Sequence, residues 1–304
     1  FTNLSEYEAV WTYEENGQVI AQGSLGRLDV PPQAQKEISL PLAMVRRPAY
    51  VARVSTWNFE FRTTRRTAWA EKGHVVARDQ AVVPADPQPA ALAGVIGRKG
   101  LELAENDDAV TVTGAAFSVR ISKASGLIVS WKVKGEEQLL APLAPTFWRA
   151  PTDNDRGSGM PARHAAWRRA GEKAEVLGLS VKHEVDGTWS VVAALAFREA
   201  EETTGTLSYT FTDAGQIRVA FKVEPKGKRL ESLPRFGLTA QIPRGYDRVT
   251  WLGRGPGENY ADRRASAFFG QYRLAADDFF FPYVEPQETG NRTDTFWATF
   301  TDAA

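Results

Sequence analysis

The most concentrated set of polar side chains lies in residues 147–159, where two aromatic residues and a proline precede an Asp-Asn-Asp run and a Gly-Ser-Gly loop. Carboxylate and amide groups in such a turn most often accept hydrogen bonds from their own backbone. The same planar groups accept and donate hydrogen bonds in pairs, which is what sugar hydroxyls require. An EF-hand calcium loop does not fit, because Gly157 occupies a position that needs an acidic or amide ligand. The sequence is compatible with both interpretations, a purely structural turn and a loop of a sugar-binding site.

Two further clusters lie closer to the C-terminus. The glycines of residues 251–260 suggest a dinucleotide fingerprint, but Glu258 stands where the third glycine is needed, and Pro256 and Asn259 oppose the helix that should follow. We therefore expect a tight strand-to-loop turn there. In residues 282–294, four polar side chains either surround a ligand or form a buried loop network; they are Gln287, Glu288, Asn291 and Arg292.

Composition excludes several other chemistries. The chain has no cysteine, so disulfides, thiolate zinc sites and a cysteine nucleophile are excluded, and a reducing compartment such as the cytoplasm is expected. Its three histidines lack the spacing of a zinc-binding pair, so no metal ligands are assigned. Basic and acidic residues balance at 37 each, so no nucleic-acid partner is expected. No apolar run reaches the roughly 18 residues that cross a bilayer, so no membrane partner is expected.

The elements that must position these clusters are mainly β-strands. In residues 7–13 apolar and polar side chains alternate, and Asn16-Gly17 then predicts a tight hairpin. Further candidate strands are 38–40, 50–56 and 74–83. We expect about seven short strands in all, which favours an immunoglobulin-like β-sandwich over residues 1–84. Three prolines in residues 84–89 predict a linker, which we place at 85–107.

Longer alternating segments follow over residues 108–304 and predict a large antiparallel sandwich. Among them are 117–133, 217–223, 236–242 and a last strand at 295–301, after which the domain is expected to be incomplete. Residues 161–174 are the exception, because proline at the first position and the spacing of Ala166, Trp167 and Ala170 predict one short surface helix.

Residues 147–157, 251–263 and 282–293 resemble the small-chain region of glycoside hydrolase family 2 β-galactosidases, and residues 66–74 resemble the end of the sandwich domain before it. The resemblance covers nearly the whole chain in the family's order. It implies an all-β fold: an immunoglobulin-like sandwich followed by a galactose-mutarotase-like supersandwich. It also implies that the chain, which does not begin with Met, is part of a larger bacterial enzyme.

In that family, retaining hydrolysis of terminal β-D-galactosides depends on two glutamates of a (β/α)₈ barrel, one of them in an Asn-Glu dipeptide. This sequence contains no Asn-Glu dipeptide and no strand–helix alternation that would build a barrel. The resemblance therefore implies a chain without catalytic residues, inactive alone, whose partners are the barrel of the same polypeptide, the galactoside substrate through it, and further copies in a homo-oligomer. The family's magnesium and sodium ions bind mainly in other domains, so no cofactor is expected in this chain.

The resemblance also implies a loop that borders the active-site mouth and moves when ligand binds. The residues expected to form or support this rim are Arg149, Asp153, Asn154, Asp155, Gly157, Ser158, Gln287, Glu288 and Asn291. Gly157 is expected to supply the backbone freedom for that movement.

Two other functions remain as alternatives. Nine tryptophans would suit a stand-alone carbohydrate-binding module, although most of them lie in alternating strand patterns typical of a core. Large sandwiches of this kind also occur in aldose mutarotases, which are epimerases that need a positioned acid and base.

Overall fold

The computed structural model describes residues 2–40, 54–84, 100–184, 187–200, 203–225 and 233–302. The chain divides into two compact units. Unit 1 contains Phe1–Pro89, Asp247–Phe281 and Thr289–Ala304, and unit 2 contains Ala90–Tyr246 and Pro282–Glu288. Antiparallel β-sheets build both units, which confirms the predicted all-β class.

The N-terminal part of unit 1 forms a four-stranded antiparallel sheet. Its strands are β1 (Tyr7–Glu15), β2 (Gln18–Gly26), β3 (Val54–Thr63) and β4 (Val75–Pro84), in the order β2-β1-β3-β4. The predicted hairpin joins β1 to β2, and Asn16 and Gly17 both have positive φ angles, 51° and 76°. Every second residue of β1 from Ala9 to Glu15 is buried, as the alternation predicts. The described residues before position 85 form these four strands, and 38–40 pair with none of them. The start of the predicted strand 50–56 lies outside the described residues.

The C-terminal part of unit 1 adds a three-stranded sheet. Its strands are β16 (Arg248–Gly255), β17 (Phe268–Ala275) and β18 (Trp297–Thr301), in the order β17-β16-β18. Leu252 and Phe269 of this sheet are buried in one core with Val54, and Val82 and Trp297 pack against them. A short 3₁₀ helix, Ala276–Phe279, follows β17, and another, Leu4–Glu6, precedes β1.

Unit 2 is a sandwich of two larger sheets. One has the order β5-β6-β7-β8-β9, with β5 Glu102–Glu105, β6 Ala109–Thr113, β7 Phe117–Ser122, β8 Ile128–Val133 and β9 Glu136–Glu137. The other has the order β11-β12-β13-β14, with β11 Glu175–His183, β12 Trp189–Phe197, β13 Thr203–Phe211 and β14 Ile217–Glu224.

The two sheets share one core, in which Val119 and Ile121 of the first and Leu195, Leu207 and Tyr209 of the second have no exposed surface. A separate two-stranded ladder pairs β10 (Ala141–Thr146) with β15 (Gly237–Gln241).

The predicted single helix is replaced by three short ones. They are α1 (Asp153–Gly157), α2 (Met160–Arg163) and α3 (Ala165–Glu172). His164, with φ −106° and ψ 14°, separates α2 from α3 because its backbone leaves the helical region. Trp167 is buried and its ring lies 5.1 Å from that of Phe147, so the predicted packing of this segment by Trp167 is confirmed.

The unit boundaries differ from the sequence-based domains in two places. The strands β16, β17 and β18 belong to unit 1 although the sequence groups residues 108–304 together, because Leu252 and Phe269 bury against Val54. Within the predicted linker 85–107, Glu102–Glu105 forms β5 and pairs with β6, while 85–99 lies outside the described residues.

Candidate functional site

The Asp-Asn-Asp run forms the helix α1, where the sequence indicated a turn or a loop. Thr152 is its N-cap, and the hydroxyl oxygen of Thr152 accepts a hydrogen bond from the Asp155 backbone N–H (3.2 Å). In return, the Thr152 N–H donates to Asp155 Oδ2 (2.9 Å). This reciprocal capping box satisfies backbone donors at the start of the helix that would otherwise lack partners. Asp155 therefore accepts a hydrogen bond from the nearby backbone, which is the structural alternative considered for this run.

Arg149 holds the same carboxylate from the other side. Its two terminal nitrogens lie 2.7 Å from Asp155 Oδ2 and 3.0 Å from Oδ1, which is a bidentate ion pair. Its Nε donates to the carbonyl of Pro234 (3.0 Å). Partial burial by itself raises the pKa of Asp155, but the hydrogen bonds from Thr152 and the charge of Arg149 outweigh it and hold the pKa below its ordinary value. Arg149 and Asp155 thus position α1.

The exposed side of α1 is tied to the segment Pro282–Glu288. Arg156 forms an ion pair with Asp153 (3.0 Å) and donates to the carbonyl of Pro286 (2.7 Å). The Asp153 N–H donates to the side-chain oxygen of Gln287 (3.4 Å). The structure therefore places Gln287 beside α1.

Glu288 joins this cluster through a different partner. Its carboxylate pairs with Arg235, and only 11% of the Glu288 side chain is exposed. The backbone N–H of Arg235 donates to the carbonyl of Phe147 (3.3 Å). Through Arg235, Glu288 therefore links the segment Pro282–Glu288 to Phe147, which lies between β10 and α1.

Four of the predicted residues form an exposed surface, which we call the α1 rim: Asp153, Asn154, Gly157 and Ser158. The Ser158 hydroxyl donates to the carbonyl of Asp155 (3.0 Å), and the Ser158 N–H donates to the carbonyl of Asn154 (2.9 Å). The left-handed backbone conformation in this region belongs to Gly159 (φ 74°) and not to Gly157. The backbone conformation that favours glycine is therefore found at Gly159, two residues after Gly157.

Asn291 lies in unit 1, in a loop network separate from the cluster around α1. Its side-chain N–H group donates to the carbonyl of Asn259 (2.8 Å), and the Asn259 N–H donates to the carbonyl of Asn291 (2.9 Å). The fully buried Asn259 side chain also accepts from the N–H and hydroxyl of Thr293, at 2.8 and 2.6 Å. For Asn291 the structure therefore favours the buried loop network over a ligand contact.

Glu258 completes the same network and was assigned no role from the sequence. It accepts from Arg263 (2.8 Å), from the hydroxyl of Thr289 (3.0 Å) and from the N–H of Gly290 (2.8 Å). Arg292 lies over the ring of Phe279 at 4.7 Å, and burial lowers the pKa of its guanidinium. The glycine-rich run and the Asn291-Arg292 segment thus stabilise each other, which agrees with the turn expected for residues 251–260.

Across the described ranges, acidic and histidine side chains form no cluster of three that would hold a metal ion. Nor does any helix in those ranges have the length and apolar character needed to span a membrane.

The comparisons with known proteins point to one family. Residues 113–304 match the family model described as "Beta galactosidase small chain", and residues 1–84 match the one described as "Beta-galactosidase, domain 4". The β-galactosidase of Priestia megaterium is 32% identical over 307 residues, which cover 99% of this chain and 28% of the relative. That of Aeromonas hydrophila is 32% identical over 300 residues, with coverages of 94% and 28%. This chain therefore spans little more than a quarter of the length of these relatives.

Proposed function

Because this chain belongs to the β-galactosidase small-chain family, we propose that it forms a non-catalytic part of a β-galactosidase, an enzyme that hydrolyses terminal β-D-galactosides with retention. The observation that carries the proposal is the consecutive match to two β-galactosidase family models, over 1–84 and 113–304. The relatives bear the same name, and about 72% of their length lies outside the match to this chain. We place the catalytic barrel in that remainder.

The chemistry of the α1 cluster supports a positioning role. A general acid or base works best when its pKa lies near the operating pH. The pKa of Asp155 is held low by Thr152 and Arg149, and Glu288 is paired with Arg235. Asp155 is therefore suited to orient α1 and not to transfer a proton, and this also speaks against an aldose-mutarotase function.

The α1 rim is the part that we assign to the substrate. Asp153, Asn154 and Ser158 are exposed polar residues on one short helix and its C-terminal cap. Arg149 and Asp155 fix the helix from below, so the rim presents hydrogen-bonding groups without a large ordering cost. In the complete enzyme these groups would meet sugar hydroxyls at the mouth of the barrel site.

The remaining parts of the proposal concern the whole protein. The complete protein would act in the bacterial cytoplasm as a homo-oligomer. Its magnesium and sodium ions would bind in domains outside this chain. Sedimentation of the complete enzyme and metal analysis of this chain alone test these two points separately.

Reconstitution tests the central proposal. This chain is expressed together with the part of the Priestia megaterium enzyme that lies outside the match, and hydrolysis of nitrophenyl β-galactoside is measured. We expect activity only when both parts are present. In the reconstituted enzyme, Asn154→Ala should raise KM several-fold, whereas Glu136→Ala, an exposed substitution in β9, should not. Equal activity of the relative's part with and without this chain would contradict the proposal.

A further inference from the structure

Unit 1 contains a cavity that the proposed function does not use. It lies between one face of the four-stranded sheet and the strand β17, and its volume is about 500 Å³. Small-molecule sites commonly measure roughly 300–1,000 Å³, so the space is sufficient for a ligand of one or two rings. The side chains that decide its chemistry are Thr12, Glu14, Asn58, Arg78, Phe268 and Tyr272.

The sheet face forms an ordered polar floor. The Asn58 amide donates to the Thr12 hydroxyl oxygen (3.2 Å) and accepts from the Gln80 amide (2.7 Å). The chain Thr12–Asn58–Gln80 therefore crosses β1, β3 and β4 in register. The Asn58 amide retains one N–H and one lone pair that this chain does not use. The floor is thus fixed in place and still able to bind a ligand.

Glu14 lines the cavity without a hydrogen-bond donor for its carboxylate among the described residues. Within the described part of the chain, neither a hydrogen bond nor an ion pair engages its carboxylate, although burial is sufficient to raise its pKa. A half-buried carboxylate that lacks a donor is costly, because desolvation is not compensated. A ligand hydroxyl that donates to Glu14 would remove this cost.

A cation from β4 and aromatic rings from β17 also line the cavity. The guanidinium of Arg78 lies 4.5 Å from the centre of the Phe268 ring. The Tyr272 ring also lines the cavity, and its hydroxyl donates to the carbonyl of Phe268 (2.8 Å). Aromatic surface of this kind packs against the C–H groups of a sugar ring, while Arg78 and Glu14 bind its hydroxyls.

The charges of the lining select against an ionic ligand. Two carboxylates, Glu14 and Glu60, face two guanidiniums, Arg62 and Arg78, so the formal charge of the wall sums to zero. Glu60 and Arg62 also neutralise each other, with Arg62 Nε 2.8 Å from Glu60 Oε2. A wall with no net charge does not attract an anion or a cation electrostatically. It does offer hydrogen-bond donors and acceptors to a neutral polyhydroxylated molecule.

We infer that this cavity is a binding site for an uncharged saccharide, distinct from the α1 rim. The site lies wholly within unit 1 and is built by β1, β3, β4 and β17. It contributes binding and no bond cleavage. The inference is tested by binding to this chain and not by hydrolysis. Its outcome is therefore independent of the outcome for the proposed function.

A titration of the ¹⁵N-labelled chain with lactose tests the inference. We expect saturable shifts of the backbone amides of Thr12, Asn58 and Gly270, with a dissociation constant on the order of 1 mM. Glu14→Gln should weaken binding about five-fold, since one charged acceptor is lost. Arg78→Gln is a second variant of the same design, and Glu136→Gln, exposed and distant in sequence, is the control. Dispersed amide spectra confirm that each variant is folded.

The inference fails if lactose produces no saturable shift at these amides, or if the shifts map to residues outside the cavity. It also fails if both folded variants bind lactose as the unchanged chain does. A galacturonate disaccharide should bind no more tightly than lactose, and a ten-fold preference for the charged sugar would contradict the choice of a neutral ligand.

Discussion

The side-chain amide of Gln80 forms two hydrogen bonds with the backbone of Phe269, donating to its carbonyl (2.8 Å) and accepting from its N–H (2.7 Å). The two residues are 189 positions apart in the sequence. Gln80 lies on β4, the edge strand of the N-terminal sheet, and Phe269 lies on β17, the edge strand of the C-terminal sheet. The Gln80 amide thus satisfies two backbone groups of an edge strand that no other described strand pairs, and it connects the two sheets of unit 1.

Replacing Gln80 by Leu should reduce the free energy of unfolding by about 1–3 kcal/mol, because both backbone groups of Phe269 lose their partner. Urea denaturation followed by tryptophan fluorescence measures the change. Gln22→Leu, an exposed substitution in β2, is the control and should change stability by less than about 0.5 kcal/mol. Equal effects of the two substitutions would show that the Gln80 pair contributes nothing specific.

Asp155→Asn should destabilise the chain by about 1–3 kcal/mol at pH 7, since the Arg149 ion pair and the capping box are both weakened. The pKa of Asp155 is lowered in the folded state. Its contribution is therefore present above the ordinary carboxyl pKa and is lost as the pH falls through the folded value. The difference between the two proteins should shrink in acid, and a difference that stays constant from pH 7 to pH 3 would contradict this account.

Glu14→Gln should have the opposite pH dependence. Burial raises the pKa of Glu14, so folding is penalised as the pH rises from the ordinary carboxyl value through the folded value. The glutamine variant, which carries no charge there, should therefore be at least as stable as the unchanged chain at pH 7. At a pH below the ordinary carboxyl value the advantage should vanish. Parallel urea titrations at pH 7 and pH 4 measure the difference in free energy of unfolding between the variant and the unchanged chain. A difference that favours the variant more at pH 4 than at pH 7 would contradict this account.

Asn259→Ala should reduce stability by about 3 kcal/mol, because the part-buried N–H and hydroxyl of Thr293 lose their acceptor. Asn154→Ala is a matched control, since Asn154 is exposed on the α1 rim. Thermal unfolding should separate the two variants clearly. Similar melting temperatures would mean that the loop network around Asn291 is not a stabilising element.

The parts of the fold that depend on local pattern were predictable. The alternation of β1 and the Asn16-Gly17 turn agree with the structure, because strand periodicity and positive φ are properties of neighbouring residues. The packing of Leu252 and Phe269 against Val54 was not predictable, since contacts between residues so far apart leave no local signal.

The candidate site shows the same division. The Asp-Asn-Asp run indicated a polar cluster, but its helix was missed because Asp and Asn have low helix propensity and Gly157 has less. The signal that was available is Thr152 followed by Asp155 at the third helical position, which forms the capping box. That Glu288 and Asn291 belong to different units, although three residues apart, depends on their tertiary partners Arg235 and Asn259.

The most direct test of the central claim is the hydrolysis of nitrophenyl β-galactoside by the purified chain alone. Retaining hydrolysis needs two carboxyl groups roughly 5–5.5 Å apart on either side of the scissile bond, and the acids of the α1 cluster are held by arginines instead. We expect the same rate as in buffer at every pH between 5 and 8. Saturable turnover above that rate would show that this chain carries its own catalytic pair and would contradict a non-catalytic role.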